Sequence, residues 1–180
     1  AYFLLTRTTK KIFLIEANRV AHGATGHNAG QLVSYFERPF ADIVHEFGLE
    51  LAAQGQRAVE SGWEHLEAMR RDLHLETPCA IFEGYAGCTD REDILVHLRN
   101  NQKRLQAGLS IETMWVSESY AKKGLIPASF RALYRTAPHH TILNLLETKD
   151  RRYVAALAGK KGCLNSAQFS EEALGVLLKR

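Results

Sequence analysis

The sequence has no CxxC pair and no cluster of cysteines; its three, Cys79, Cys88 and Cys163, are odd in number and far apart. That excludes a disulfide framework and a structural zinc site, and it fits a reducing compartment. The expected location is cytoplasmic, with the cysteines serving as small core residues. No apolar run approaches the ~20 residues of a membrane span, and no charged head with an apolar stretch and a cleavage site opens the chain. Charge of one sign is nowhere concentrated. Lys and Arg number 23 against 20 for Asp and Glu, and the net +3 is interspersed, so no basic stripe exists to track nucleic-acid phosphates. His22 and His27 sit five apart and His139 and His140 are adjacent, but neither pair has a third ligand nearby in sequence, so no metal is expected. Internal repeats and low-complexity segments are also absent.

What is present is a chain of 180 residues, 46% hydrophobic and 24% charged, enough for one sizeable core. AYFLLTRTTK reads as the second half of a helix, and EEALGVLLKR runs to Arg180 with no stop signal, so both ends are expected to fall inside elements. Lys11 to Ala17 is a nearly continuous apolar run, the pattern of a strand buried on both faces of a parallel sheet. From Arg38 on, Ile43, Val44, Phe47 and Leu51, then Val59, Trp63, Leu66, Met69 and Leu73, recur at helical spacing, with Gly48, Gly55 and Gly62 as candidate breaks.

Further along, CAIFEGYAGCT over 79–89 predicts a strand with a bulge near Gly84 or Gly87. Asp90 caps a helix whose face is Ile94, Leu98 and Leu105, closing at Gly108. Ile111 to Val116 predicts another strand, Ser129 to Tyr134 a helix, and Tyr153 to Leu157 a short strand. Asn165 with Gln168 gives a capping-box start to a last helix bearing Phe169, Leu174 and Leu177.

The chemistry concentrates in KIFLIEANRVAHGATGHNAGQL, from Lys11 to Leu32. Glu16 closes the apolar run. In a dinucleotide-binding βαβ unit, an acid about 20 residues after the glycine-rich turn accepts hydrogen bonds from the adenosine ribose hydroxyls. Alone, such a residue is equally well a polar strand terminator. Behind it, Gly23, Gly26 and Gly30 permit positive φ and close backbone approach, Thr25 adds a hydroxyl, and the amides between them can converge on a phosphate.

The run Gly23, Ala24, Thr25, Gly26, His27, Asn28, Ala29, Gly30, Gln31 resembles the G-A-S-G-R-N-A-G-Q stretch of FAD-dependent oxidoreductases of the D-amino-acid oxidase and glycine oxidase type, with Thr for Ser and His for Arg. The order FEGYAG strand, helix, strand and the late GCLNSAQFSEEALGVLL segment is similar to that family too. The resemblance implies an α/β protein: a partial Rossmann-like FAD-binding domain with a parallel strand over 1–75, part of an α+β substrate domain over 76–160, and a helix returning to the FAD domain over 161–180. It implies FAD as cofactor and an amine or amino acid, less often a hydroxy acid, as the small-molecule substrate whose hydride passes to the flavin. Glu16 would hold the adenosine ribose, with Ala17 next to it among the cofactor-binding residues. Gly23 and Ala24 would open the cofactor-binding loop, the turn of Thr25, Gly26, His27 and Asn28 would lie against the diphosphate, and Ala29, Gly30, Gln31 and Leu32 would approach the flavin ring. The family's first strand and its G-x-G-x-x-G turn would precede Ala1, so the 180 residues alone are expected to hold FAD poorly. Two rivals stand beside this reading. One is a non-catalytic helical interaction module with Val59, Trp63, Leu66 and Leu73 as its partner face; the other is a nicotinamide-dependent Rossmann enzyme. Tyr85 is read as a sheet-packing residue or as one facing substrate.

Overall fold

The computed structural model describes residues 1–179. In chain order the helices are α1 (Tyr2–Arg7), α2 (Phe40–Phe47), α3 (Leu49–Glu60), α4 (Gly62–Leu73), α5 (Arg91–Gln106), α6 (Glu118–Ala121), α7 (His139–Leu145) and α8 (Ser166–Leu177), with 3₁₀ turns over Ala24–His27 and Ala128–Leu133. The strands are β1 (Gln31–Leu32), β2 (Cys79–Cys88), β3 (Thr113–Ser117), β4 (Arg135–Ala137) and β5 (Ala155–Leu164). They form a mixed sheet in the order β1-β5-β3-β4, with β2 also paired to β5. The chain is therefore α/β, and its parallel pair is β3 with β4. It divides into two compact units, one made of Ala1–Val33, Ser61–Ile81 and the chain from Lys161 onward, the other of Ser34–Glu60 and Phe82–Lys160.

The second unit is built on α5. Asp90 accepts a hydrogen bond from the Asp93 amide at 3.0 Å, satisfying one of the helix's first open donors. Ile94, Leu95 and Leu98 are fully buried against Met114 and Val116 of β3 and Ala155 and Leu157 of β5. The fourth inward position is Asn101, 1% exposed. Its amide donates to Glu112 O at 2.7 Å and accepts from Glu112 N at 3.1 Å, so it is buried with its hydrogen bonds made and ties the loop before β3 to the helix. Leu105, expected on this face, is 59% exposed.

Helices α2 and α3 close a smaller cluster of Phe40, Val44, Ala52, Ala53 and Leu109. The expected single helical stretch breaks at Gly48, which takes φ +81, a conformation that strains any residue with a Cβ. It breaks again at Ser61, while Gly55 sits inside α3. The re-aiming at Gly48 leaves Phe47 and Leu51 exposed instead of buried.

The sheet of this unit follows strict alternation. β5 runs antiparallel to β3, with Met114 opposite Leu157 and Trp115 opposite Ala156, and β3 runs parallel to β4, with Trp115 opposite Arg135. Met114 and Val116 turn to α5; Thr113 and Trp115 turn to the other face, where Ile142, Leu145 and Leu146 of the α7 region pack with Tyr85, Ala137 and Ala156. β4 and α7 lie between Ser117 and Thr148, where the sequence signals are mixed, and β5 runs to Leu164, beyond the short strand expected to close at Leu157. A Cβ on Gly87 would stand 2.5 Å from the Tyr153 ring, so that glycine lets the chain before β5 close on β2.

In the first unit, α4 and α8 bury Leu73, Leu75 and Ala173, with Tyr2, Met69 and Phe169 alongside. Glu172 of α8 binds the segment after α4: it accepts from Glu76 N at 2.5 Å, Thr77 N at 2.9 Å and Thr77 Oγ1 at 2.5 Å, and Thr77 is fully buried. The Thr77 hydroxyl and the Glu76 amide hold the Glu172 carboxyl below its ordinary range.

Two expectations are corrected. Lys11–Ala17 forms no strand, and Phe13 and Ile15 are 85% and 93% exposed. A strand exists only as part of a ladder, and among the described residues no neighbour pairs with this one. Of the cysteines only Cys88 is a core residue, its thiol pushed up to about 12 by burial; Cys79 is half-buried and Cys163 exposed.

Leu98→Ala should lower stability by about 2–5 kcal/mol in denaturant melts, and Leu105→Ala by well under half as much; the reverse order would contradict this core. Because the Glu172 pKa is depressed in the folded protein, its contribution is present above the ordinary glutamate range and is lost as pH falls through the folded value. Glu172→Gln should therefore be destabilising at neutral pH, and the gap in melting temperature from the parent should shrink toward acid pH.

Candidate functional site

The glycine turn is one compact structure. Gly23 precedes the 3₁₀ turn Ala24–His27, and His27 Nδ1 lies 2.8 Å from Gly23 O. Asn28 closes it: its amide donates to Ala24 O at 3.1 Å and Thr25 O at 2.8 Å, and its Oδ1 accepts from Gly30 N at 2.7 Å. This is the local Asx bonding that makes asparagine favourable in turns. Ser166, at the start of α8, donates to Thr25 O and stands 3.0 Å from Asn28 Oδ1. Gln31 and Leu32 pair antiparallel with Cys163 and Gly162, and Leu164 N donates to Gly30 O at 3.0 Å. Gly23 through Leu32 is thus brought together on the amino end of α8 and the last residues of β5.

The three glycines have different reasons. Gly30 takes φ +66, and a Cβ there would overlap Leu164 O; a Cβ on Gly26 would overlap Ala21 O. Both are small because the chain approaches itself closely there, the close backbone approach expected of these glycines. Gly23 has nothing within 4 Å of a built Cβ. It sits with exposed Ala24 and Thr25 on the outer side of the turn.

Glu16 and Ala17 are exposed and lie outside this assembly. The Glu16 carboxylate accepts from Asn18 N at 3.1 Å. As a fit for a dinucleotide, Gly23 to Thr25 offers an open outer surface for a diphosphate, and the Glu16 carboxylate is accessible for ribose hydroxyls. Gly26 and Gly30 are occupied by the fold itself.

A second candidate lies in the other unit. A cavity of ≈310 Å³ on the α7 side of the sheet is lined by Glu83, Tyr85, Thr113, Trp115, Arg135 and Thr141, with Leu145 and Ala158 completing it. These positions share a face because 83 and 85, and 113 and 115, alternate in step along β2 and β3. The Arg135 guanidinium lies 5.6 Å from the centre of the Trp115 ring, which it faces. Tyr85 donates to Glu83 at 2.5 Å, and that hydrogen bond pushes the Tyr85 phenol up, keeping it a neutral donor. Sequence reading singled out Tyr85 alone. Arg135 and Trp115 carried no local signal, since their meeting depends on the parallel register of β3 and β4. Ser166 was hidden likewise, standing 138 residues from Asn28.

No family model, no curated protein and no solved structure matches this chain. Among the described residues no group of three His, Cys, Asp or Glu side chains could hold a metal ion, and no helix is long and apolar enough to cross a membrane.

Asn28→Ala should cost about 0.5–1.5 kcal/mol through the lost turn hydrogen bonds, and Gly30→Ala should destabilise further through its positive φ and the overlap with Leu164 O. Gly23→Ala should leave the thermal midpoint within about a degree of the parent, as expected of an open surface site. Equal losses at Gly23 and Gly30 in the same melts would show that this account of the turn is wrong.

Proposed function

We propose that the chain serves in a flavoprotein oxidoreductase that moves a hydride from the carbon of an amine or amino acid, less readily a hydroxy acid, to FAD. The observation that carries the reading is the run Gly23–Gln31, whose order resembles the flavoenzyme motif and which folds as one turn with Gly23, Ala24 and Thr25 facing outward. The outer amides and the Thr25 hydroxyl would meet the diphosphate. Glu16 would accept from the ribose hydroxyls, where hydrogen bonds to a charged acceptor are worth about 1.5–3 kcal/mol. When bound, the flavin supplies the hydride acceptor; the protein supplies orientation and electrostatics. Asn28 and Ser166 set the shape of the turn, and so act as positioning residues. The rival reading, a partner-binding helical face, has less to stand on, because Leu73 is 2% exposed and the Trp63 ring lies against Gly162 within the same unit.

The test uses protein produced from the complete reading frame containing these residues. It should carry visible flavin absorbance and quench added FAD fluorescence. Gly23→Val, which fills open space beside the outer amides, should weaken FAD binding about tenfold or more with little change in melting, and Glu16→Gln should weaken it by a similar factor. A colourless protein that leaves FAD fluorescence untouched would overturn the proposal.

A further inference from the structure

The cavity on the α7 side of the sheet has a polarity along its length. β3 takes one edge of β5 over Ala155–Ala158, so β2, whose Cys88 carbonyl accepts from Val154 N at 2.9 Å, has the other. The row is then β2, β5, β3, β4. Glu83 stands at the first strand and Arg135 at the last, three strand spacings or about 14 Å apart at the backbone. Between them the floor is Ala158 and Trp115, and the walls carry the hydroxyls of Thr113 and Thr141. Ala158 opposite Thr113 is small, and this leaves the middle of the floor low. The anionic end is set by Glu83 with the Tyr85 phenol, and the cationic end by Arg135 spread over Trp115. Glu83 and Arg135 are both exposed, so each remains open to an incoming group.

We infer that this cavity binds a molecule with an ammonium at one end and a carboxylate at the other, separated by a chain of several bonds: an ω-amino acid, or the end of a longer carboxy-amine. The ammonium meets Glu83 and the face of Tyr85, the methylene chain lies on Trp115 and Ala158, and the carboxylate takes the two-pronged guanidinium of Arg135. With the two strands about 14 Å apart and Arg135 leaning over Trp115, the two charges suit the ends of a short linear chain and not two groups on one carbon. The assignment rests on the proposed amine or amino-acid chemistry for its biological sense, while the binding itself requires no flavin.

Titration calorimetry with the purified protein distinguishes the two. 5-Aminopentanoate should bind about tenfold or more tighter than pentylamine, pentanoate or alanine, each of which satisfies one end or places both charges together. Glu83→Gln should bring 5-aminopentanoate down to the level of pentanoate, and Arg135→Gln should bring it down to the level of pentylamine. Leu125→Ala, an exposed change on a loop that does not line the cavity, should alter nothing. No measurable binding of 5-aminopentanoate, tighter binding of alanine, or affinities unmoved by both cavity variants would overturn the inference. Ligand binding in a protein that takes up no flavin keeps the cavity assignment and removes the oxidoreductase reading; flavin uptake without ligand binding does the reverse.

Discussion

The strand β5 constrains everything else. Its ten residues supply the ladder partner for β3 in one unit and for β1 in the other, and both candidate sites are placed by that pairing. The residues along it are small where both faces must close: Ala155, Ala156 and Ala158 are at most 4% exposed, and Gly162 lies beneath the Trp63 ring. Any larger side chain at Ala156 or Ala158 would push α7 off the sheet or fill the cavity, while Ala155 and Leu157 set how closely α5 packs. The packing of one strand thus sets the depth of the core on one face and the room for a ligand on the other.

Irregular segments are held by polar side chains that replace missing backbone partners. Asn101 ties the loop before β3, Asn28 closes the glycine turn, and Glu172 gathers the amides after α4. Each satisfies donors or acceptors that no helix or strand would satisfy, which is the condition for burying a loop at all. The same device gives the Gly23–Leu32 turn its rigidity. A turn held by its own hydrogen bonds and by Ser166 needs no ligand to take its shape, so its outer surface is preorganised.

Much of this was legible in the residues. Asp90 before a periodic run, Gly48 as a break, and Asn165 three residues ahead of Gln168 each mark an element boundary by local hydrogen bonding, and the structure places the caps there. The glycine turn was legible as a turn. One feature misled: Lys11–Ala17 has the composition of a buried strand but no ladder partner among the described residues, whereas Gly26 and Gly30 serve close backbone approach, here of the chain to itself. Composition reports a preference for burial; it does not supply the neighbour that burial requires.

By itself the sequence determined the caps that open α5 and α8, the break at Gly48, the strands β2 and β3, and the presence of a glycine turn before β1, since caps, periods and positive-φ glycines act over a few residues. Only the tertiary structure decided that Ser166 locks the Asn28 turn, that Trp115 lies beside Arg135, and that Glu83 stands at the far end of the same cavity. Those meetings depend on strand register and on which edge of β5 each neighbour takes, quantities set by the packing of the whole sheet rather than by any local run of residues.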